Sequence, residues 1–308
     1  MKLSDVSVII VNFNGEDVLP RAVASVLALP DRPGELIVVD NGSTDGSLGL
    51  LHTITDPLLK IVPLGENRGV AGGRNRGVME AGGSVLAFLD SDGEATPSWL
   101  GESLAVLSAH PEAGAVAPLV LMEDGSVING AGSFLDASGH GRDRLWGEPL
   151  DSHGADLALW HEQPVDYPMG CGMVIRRWGL DSLWPLDEAL AKWHDDTEIG
   201  LRIRRLGYEV LFSRTAAVLH HPGHSDPKNP GERQLLAEMA RLRLLWKYYP
   251  GSTALWASVH YAFFAATGSR RRLGNWRDLA FMARHLAASS SDLRRMRRRW
   301  RRGSDQWH

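Results

Sequence analysis

Leu86-Ala87-Phe88-Leu89-Asp90-Ser91-Asp92-Gly93 decides the fold class of this chain. Four apolar residues read as a buried strand, and two carboxylates follow, one residue apart, where that strand should end. Unbroken apolar runs of this kind belong to parallel sheets covered by helices. A carboxylate pair at the mouth of an α/β sheet suits a hard divalent cation, which takes oxygen ligands and fills its remaining positions with substrate phosphates. Asp, Ser and Gly also build ordinary turns, so the rest of the chain has to decide between turn and site.

Upstream, the pattern of a strand ending in polar residues recurs. Residues 6–11 predict a strand that Asn12, Asn14 and Gly15 break. Residues 35–39 predict a second, which runs into Asp40-Asn41-Gly42-Ser43-Thr44-Asp45-Gly46. Residues 59–62 and 84–89 predict a third and a fourth. Helices are expected between them: over 17–28, ended by Pro30; from Asp45 as a cap to about residue 52; over 70–81; and from Thr96 as N-cap, with Pro97 at the first helical position, to 109. Alternating strands and helices imply a doubly wound parallel sheet, which binds ligands beyond the carboxyl ends of its strands. Asn12/Asn14, Asp40/Asn41 and Asp90/Asp92 all fall at those ends, so separate segments converge on one crevice.

Downstream, residues 113–167 are Gly-rich and predict a mixed second half of the sheet with hairpins and a strand over 116–121. A strand is expected over 172–175, a helix over 195–206 with Ile199, Ile203 and Leu206 on one face and Gly207 as its C-cap, and strands over 209–212 and 216–219. Beyond Pro230, Leu235, Met239, Leu242, Leu245, Trp246 and Tyr249 trace one face of an amphipathic helix. The expected division is residues 1–228 as an α/β domain and 229–308 as a helical, basic appendage.

With 308 residues, 44% hydrophobic and 23% charged, the chain has the composition of a globular protein. Its single cysteine, Cys171, excludes an intrachain disulfide framework and fits a reducing compartment. The first apolar run reads as a strand rather than a signal peptide. No apolar stretch reaches transmembrane length; residues 253–267 come nearest and include His260. A cytoplasmic location is expected. The net charge of −4 hides an asymmetry: residues 268–308 hold twelve arginines against Asp278, Asp292 and Asp305. Such a basic appendage has its own task or its own solvent shell. With Met296 and Trp300 among the arginines and Trp256, Tyr261, Phe263 and Phe264 upstream, peripheral contact with the inner face of a membrane is expected. No base-reading motif accompanies the charge, so nucleic acid is not expected as a partner.

Three further constellations carry chemistry. Glu66-Asn67-Arg68-Gly69-Val70-Ala71-Gly72-Gly73-Arg74-Asn75-Arg76-Gly77 runs a Gly-rich loop into a helix. Its glycines either admit a phosphate to the backbone or let the helix pack closely on the sheet, and Arg74 has the fork geometry for a diphosphate. It is neither a dinucleotide fingerprint nor a P-loop. Trp193-His194-Asp195-Asp196-Thr197-Glu198 puts carboxylates at a helix start, where they cap the helix and where the dipole keeps a general base ionised. His220-His221-Pro222-Gly223-His224 ends a strand, and one of its histidines either caps that strand or completes a cation's coordination.

In order, Val6-Ser7-Val8-Ile9-Ile10-Val11-Asn12-Phe13-Asn14-Gly15, Val38-Val39-Asp40-Asn41-Gly42-Ser43-Thr44-Asp45-Gly46-Ser47, the 66–77 loop, Asp90-Ser91-Asp92, Asp195-Asp196 and His220 resemble glycosyltransferase family 2, with its GT-A fold. The Asn-Gly-Ser-Thr-Asp-Gly-Ser run, Glu-Asn-Arg-Gly and the Gly pair resemble its branch of bacterial rhamnosyltransferases and related cell-surface polysaccharide enzymes. The resemblance spans roughly residues 6–225. It implies that Asn12, Asn14 and Asp40 hold the nucleobase and ribose of a UDP- or dTDP-sugar, that Asn67 and Arg74 lie along its ribose and diphosphate, and that Asp90 and Ser91 contact the donor. It implies a metal, Mn²⁺ or Mg²⁺, on Asp92, Asp90 and His220; a base at Asp196 or Asp195; and a glycan or polyprenyl-linked acceptor beside Gly170, Cys171 and Gly172. Two departures from the family pattern stand out. Many members of this branch carry Asn where this chain has Asp90, and the usual acidic pair is Glu-Asp with another Asp two residues on, where this chain has Asp195-Asp196 and Glu198.

The expected chemistry is inverting, metal-dependent sugar transfer. One rival is a sugar nucleotidyltransferase, which needs a basic phosphate loop near the N-terminus where this chain has the uncharged Asn12-Phe13-Asn14-Gly15. The other is a catalytically dead glycan-binding module, which the intact set of carboxylates argues against.

Overall fold

The computed structural model describes residues 1–177, 181–190, 193–221 and 230–267. In chain order the elements are β1 (Val6–Asn12), α1 (Leu19–Leu27), β2 (Glu35–Asp40), α2 (Ser47–Thr53), β3 (Leu59–Pro63), α3 (Gly69–Glu80), β4 (Val85–Asp90), β5 (Gly93–Ala95) and α4 (Trp99–Ala109). There follow β6 (Ala113–Met122), β7 (Val127–Gly130), β8 (Ser133–Leu135), β9 (Gly141–Asp143), α5 (Gly154–Trp160), β10 (Pro164–Val165), β11 (Val174–Arg176), α6 (Asp195–Arg205), β12 (Glu209–His220), α7 (Pro230–Tyr248) and α8 (Gly251–Thr267).

The main sheet runs β10-β12-β6-β11-β4-β1-β2-β3, with β5 on β12 and β7 on β6. β4, β1, β2 and β3 are parallel, so the chain winds outward from β1 and then returns to β1's other side. That reversal is a topological switch point, where the loops diverge and leave a crevice. The register fixes what stands there: Asn12 lies opposite Asp40, and Val11 opposite Asp90. The second half is mixed. β11 is antiparallel to β4 and β6, whereas β12 is parallel to β6.

Burial on both faces explains the apolar runs. Val8, Ile10, Val38 and Ala87 face one core, which contains Trp99, and Ile9, Ile37, Val39 and Phe88 face the other. Gly73 and Gly77 answer the question left open for the Gly-rich loop. They lie on the face of α3 that packs on β1, and a Cβ at either would collide with Val11 or Ile9. These two glycines serve close helix packing. Gly42, at φ +79°, allows a second close approach; a Cβ there would sit 2.6 Å from the Glu66 carbonyl carbon.

Other expectations move. The Thr96-Pro97 start is displaced, because α4 begins at Trp99 with Ser98 as N-cap and the Thr96 hydroxyl instead donates to the Ala217 carbonyl at 2.7 Å. The two strands expected over 209–212 and 216–219 are one strand, β12, with a bulge between Ser213 and Ala217. Asp45 accepts from the Ser47 N–H at 3.1 Å at the start of α2, whose N-cap is Gly46.

A second compact unit joins Asp136–His140 to α7 and α8. Its own core is Leu242, Leu245, Ala254, Ala257 and Tyr261. No helix among the described residues is long and apolar enough to cross a membrane. The Arg-rich segment and His224 lie outside the described residues.

Candidate active site

The carboxyl ends of β1 and β2 form one hydrogen-bonded floor. Asn12 is fully buried and donates to Asp40 Oδ1 at 3.3 Å and to the Ser43 hydroxyl at 3.1 Å. Asp40 Oδ2 accepts from the Ser43 N–H at 3.1 Å. The exposed Asn14, at φ +52°, donates its N–H to Ser43 at 3.0 Å and accepts from the Thr44 N–H at 2.8 Å. Asn41 ties this floor to the next loop: it donates to Asn67 Oδ1 at 3.1 Å and to the Gly69 carbonyl at 3.0 Å, and accepts from the Arg68 N–H at 3.0 Å. Three segments far apart in sequence are thereby held at one rim, with the side chain of Asn67 exposed there.

Arg74 does not reach out to the rim. It is 3% exposed, and its guanidinium donates to Asp195, to Asp90 Oδ1 at 3.2 Å and to the Gly170 carbonyl at 3.1 Å. Burial disfavours the charged guanidinium, but Asp195 and Asp90 outweigh it and raise its pKa. Arg74 is therefore a fixed cation joining the end of β4, the start of α6 and the 170–172 loop. Gly170 leaves room for it, since a Cβ there would come within 2.8 Å of Nη2.

Asp195 and Asp196, adjacent in sequence, have opposite surroundings. Asp195 is buried and ion-paired with Arg74. Asp196 is half-buried and accepts from the Thr197 N–H at 2.6 Å. Burial first, and the Asp195 charge second, push its pKa up to about 7. The helix start therefore does not hold this carboxyl fully ionised at neutral pH, as expected from the dipole alone; burial and a like charge win. Glu198 is structural: fully buried, it accepts from Arg202 at 2.9 Å and from the Asp187 N–H at 2.8 Å.

Asp92 and His220 meet because β5, which begins just after the Asp-x-Asp, pairs antiparallel with β12 and sets Gly93 opposite His220. His220 Nε2 lies 3.3 Å from Asp92 Oδ1, and its Nδ1 lies 2.6 Å from Asn129 Oδ1. Ligand atoms of Asp90, Cys171 and His220 fall within 4.8 Å of one another. Burial pushes the Cys171 thiol pKa well up, so it stands as a neutral thiol near the Asp90 carboxylate. The 170–172 loop is anchored by Trp99, which donates to the Gly172 carbonyl at 2.6 Å. Ser91, half-buried, stands in the turn between the two carboxylates.

Thus Asp90, Asp92, His220, Arg74, Asp195 and the 170–172 loop come together around the end of β4, and Asp196 follows Asp195 at the start of α6. Asn12, Asn14, Asp40 and Asn67 line the β1–β2 rim of the same crevice. Sequence patterns did not single out Asn129 or Glu188. Asn129 is a lone amide in an irregular stretch. Glu188 accepts from Arg68 at 2.8 Å through both carboxylate oxygens and from Asn75 at 3.3 Å.

Residues 7–173 match the model of glycosyl transferase family 2. The N-acetylglucosaminyl-diphospho-decaprenol L-rhamnosyltransferase of Mycobacterium tuberculosis is 26% identical over 72% of this chain and 78% of its own length. Among solved structures, GalNAc-T7 with UDP, GalNAc and Mn²⁺ superposes with a TM-score of 0.64 at 20% identity; the match covers 91% of this chain but only 54% of that one. The mannosyltransferase PcManGT from Pyrobaculum calidifontis, in complex with GDP-Man and Mn²⁺, superposes at 0.53 and 18% identity over 93% of this chain and 75% of its own. These structural likenesses carry the fold, which is GT-A. The chain belongs to glycosyltransferase family 2.

Proposed function

From that membership we propose that the protein moves a sugar, with inversion, from a nucleoside-diphosphate sugar to a hydroxyl of a glycan or lipid-linked glycan in cell-surface polysaccharide synthesis. The observation that carries this reading is the arrangement around Arg74: Asp92 facing His220 beyond the end of β4, and the half-buried carboxylate of Asp196 at the start of α6. The mycobacterial relative favours rhamnose as the sugar and a polyprenyl diphosphate-linked acceptor. The UDP and GDP-Man in the two solved relatives leave the nucleobase to experiment.

The residues fit a divalent cation. Asp92 Oδ1 and His220 Nε2 face each other at 3.3 Å, and Nδ1 is directed at the Asn129 oxygen, which leaves Nε2 to face the cation. Asp90 and the Cys171 thiol each offer an atom within 4.8 Å of a His220 ring nitrogen. A bound cation supplies charge neutralisation for the departing nucleoside diphosphate. The chain's own groups do the rest. Asn12, Asp40 and Asn67 orient the nucleoside. Gly170, Cys171 and Gly172 line the acceptor side. Asp196 takes the proton from the acceptor hydroxyl, whose oxygen bonds to the anomeric carbon as the bond to the diphosphate oxygen breaks on the opposite face. Asp196 suits this task better than Asp195, whose carboxylate is held by Arg74.

A panel of UDP-, dTDP- and GDP-sugars, scored by released nucleoside diphosphate and by the anomeric configuration of the product, tests the proposal. Pyrophosphate release would instead indicate the nucleotidyltransferase, and no turnover with any donor would indicate the glycan-binding module. Turnover should vanish in excess chelator and return with Mn²⁺ or Mg²⁺; full activity in chelator would remove the cation from the mechanism.

The second unit is proposed to contact an anionic membrane. α8 exposes Leu255, Trp256 and Val259, and the arginines of residues 268–308 follow it in sequence. Each arginine near such a surface contributes about 1 kcal/mol, reduced by salt. Full-length protein should pellet with anionic vesicles at low salt, and a chain ending before Ser291 should pellet less. Equal, negligible pelleting of both would exclude this contact and leave the transferase reading intact.

A further inference from the structure

We infer that Asn129 is a positioning residue for the cation site: it fixes the tautomer of His220 so that Nε2 presents its lone pair beside Asp92. The inference rests on the reading of His220 as a cation ligand and adds the group that makes it one.

Asn129 is an amide only 6% exposed, and a buried amide needs a partner to offset its lost hydration. Its place in β7 explains where that partner is. Val127 and Ile128 pair in register with Met122 and Leu121 of β6, and Gly130 pairs with Val120, but Asn129 has no register partner. It is the extra residue of a β-bulge, the device by which strands re-aim a side chain near functional sites. Its Oδ1 ends 2.6 Å from His220 Nδ1. A carbonyl oxygen only accepts, so Nδ1 carries the hydrogen, and in a neutral imidazole Nε2 is then bare. Nε2 lies 3.3 Å from Asp92 Oδ1. Positive charge favours that approach, a proton on the imidazolium at low pH or a cation in its place once the ring is neutral. Asn129 thus prepares the ring from one side, while the pairing of β12 with β5 brings Asp92 to it from the other. Metal-binding histidines are commonly oriented by such a contact, and losing it costs about 10–100-fold in metal affinity.

The tautomer is measured directly in the full-length, metal-free protein by long-range ¹⁵N–¹H correlation of the imidazoles at about pH 8, where histidine is ordinarily neutral. With twelve histidines in the chain, His220 is assigned by the signals lost in His220→Ala. Nδ1–H is the expected form. An Nε2–H form, with the Asn129 amide turned to donate, overturns the inference without recourse to any Asn129 variant. Mn²⁺ binding followed by electron paramagnetic resonance supplies the second readout. Asn129→Leu should weaken it about 10–100-fold, and Asn129→Asp, which keeps the acceptor, should hold it near wild type. If Asn129→Leu melts like the wild type and binds Mn²⁺ equally well while His220→Ala does not, Asn129 has no such role and the cation reading survives. If His220→Ala binds Mn²⁺ like the wild type, the ligand reading itself fails.

Discussion

Asp196→Asn is expected to lower the transfer rate by about 10²–10⁴-fold while leaving donor affinity nearly unchanged. The variant keeps an oxygen to accept the Thr197 N–H, so the start of α6 has no reason to move. What it loses is the proton acceptor for the incoming hydroxyl. The wild-type pH profile should carry the same signature. With its pKa pushed up to about 7 by burial and by Asp195, Asp196 is the active anion above that value, and kcat should fall as pH drops through it. The sign for stability is opposite to that for catalysis. A carboxyl whose folded pKa lies above its unfolded value binds more protons when folded, so its contribution to stability declines as pH rises from about 4 to about 7. Asp196→Asn, neutral throughout, should therefore melt higher than wild type at about pH 8. Asp195→Asn should do the reverse, because it leaves the Arg74 guanidinium buried without its nearest counter-charge. A normal rate in Asp196→Asn with a dead Asp195→Asn would move the base by one residue. Normal rates in both would refute base catalysis from this helix.

Arg74→Met should cost about 3–5 kcal/mol of folding stability, the range for removing one partner of a buried ion pair. The pair is more than decoration on the fold. Asp195 is 4% exposed and Arg74 3%, so neither charge has water to fall back on, and the guanidinium also satisfies the Gly170 carbonyl. Without it, Asp90 loses the contact that aims it, and Asp195 is left buried and unpaired. Arg74→Lys retains the charge but not the fork, and should fall between Met and wild type. Urea unfolding measures all three. A wild-type midpoint and slope for Arg74→Met would mean that the cation contributes nothing to the fold, and its role would revert to direct contact with a diphosphate.

The strands, the order of helices and the crevice at their carboxyl ends were legible along the chain because they follow from local patterns. Apolar runs such as residues 6–11 and 85–89 have to be covered on both faces, and alternation with helices makes them parallel. The polar residues that end them, Asn12, Asp40 and Asp90, then stand at neighbouring strand ends by register alone. Family order among weak motifs added Asp195-Asp196 and His220. The sequence could not divide the glycines of α3 between phosphate and packing, because both uses need the same absent Cβ. Only the distance of Gly73 and Gly77 from β1 separates them. Nor could it say that Arg74 points inward, which depends on where α6 and the 170–172 loop come to rest. The same contact separates Asp195 from Asp196: two identical side chains, adjacent in the chain, of which one meets the guanidinium. Asn129 lay furthest from sequence reasoning. The role proposed for it depends on a one-residue bulge in β7 and on the close of β12 against β5, and pairings between distant strands leave no periodic trace in the residues that make them.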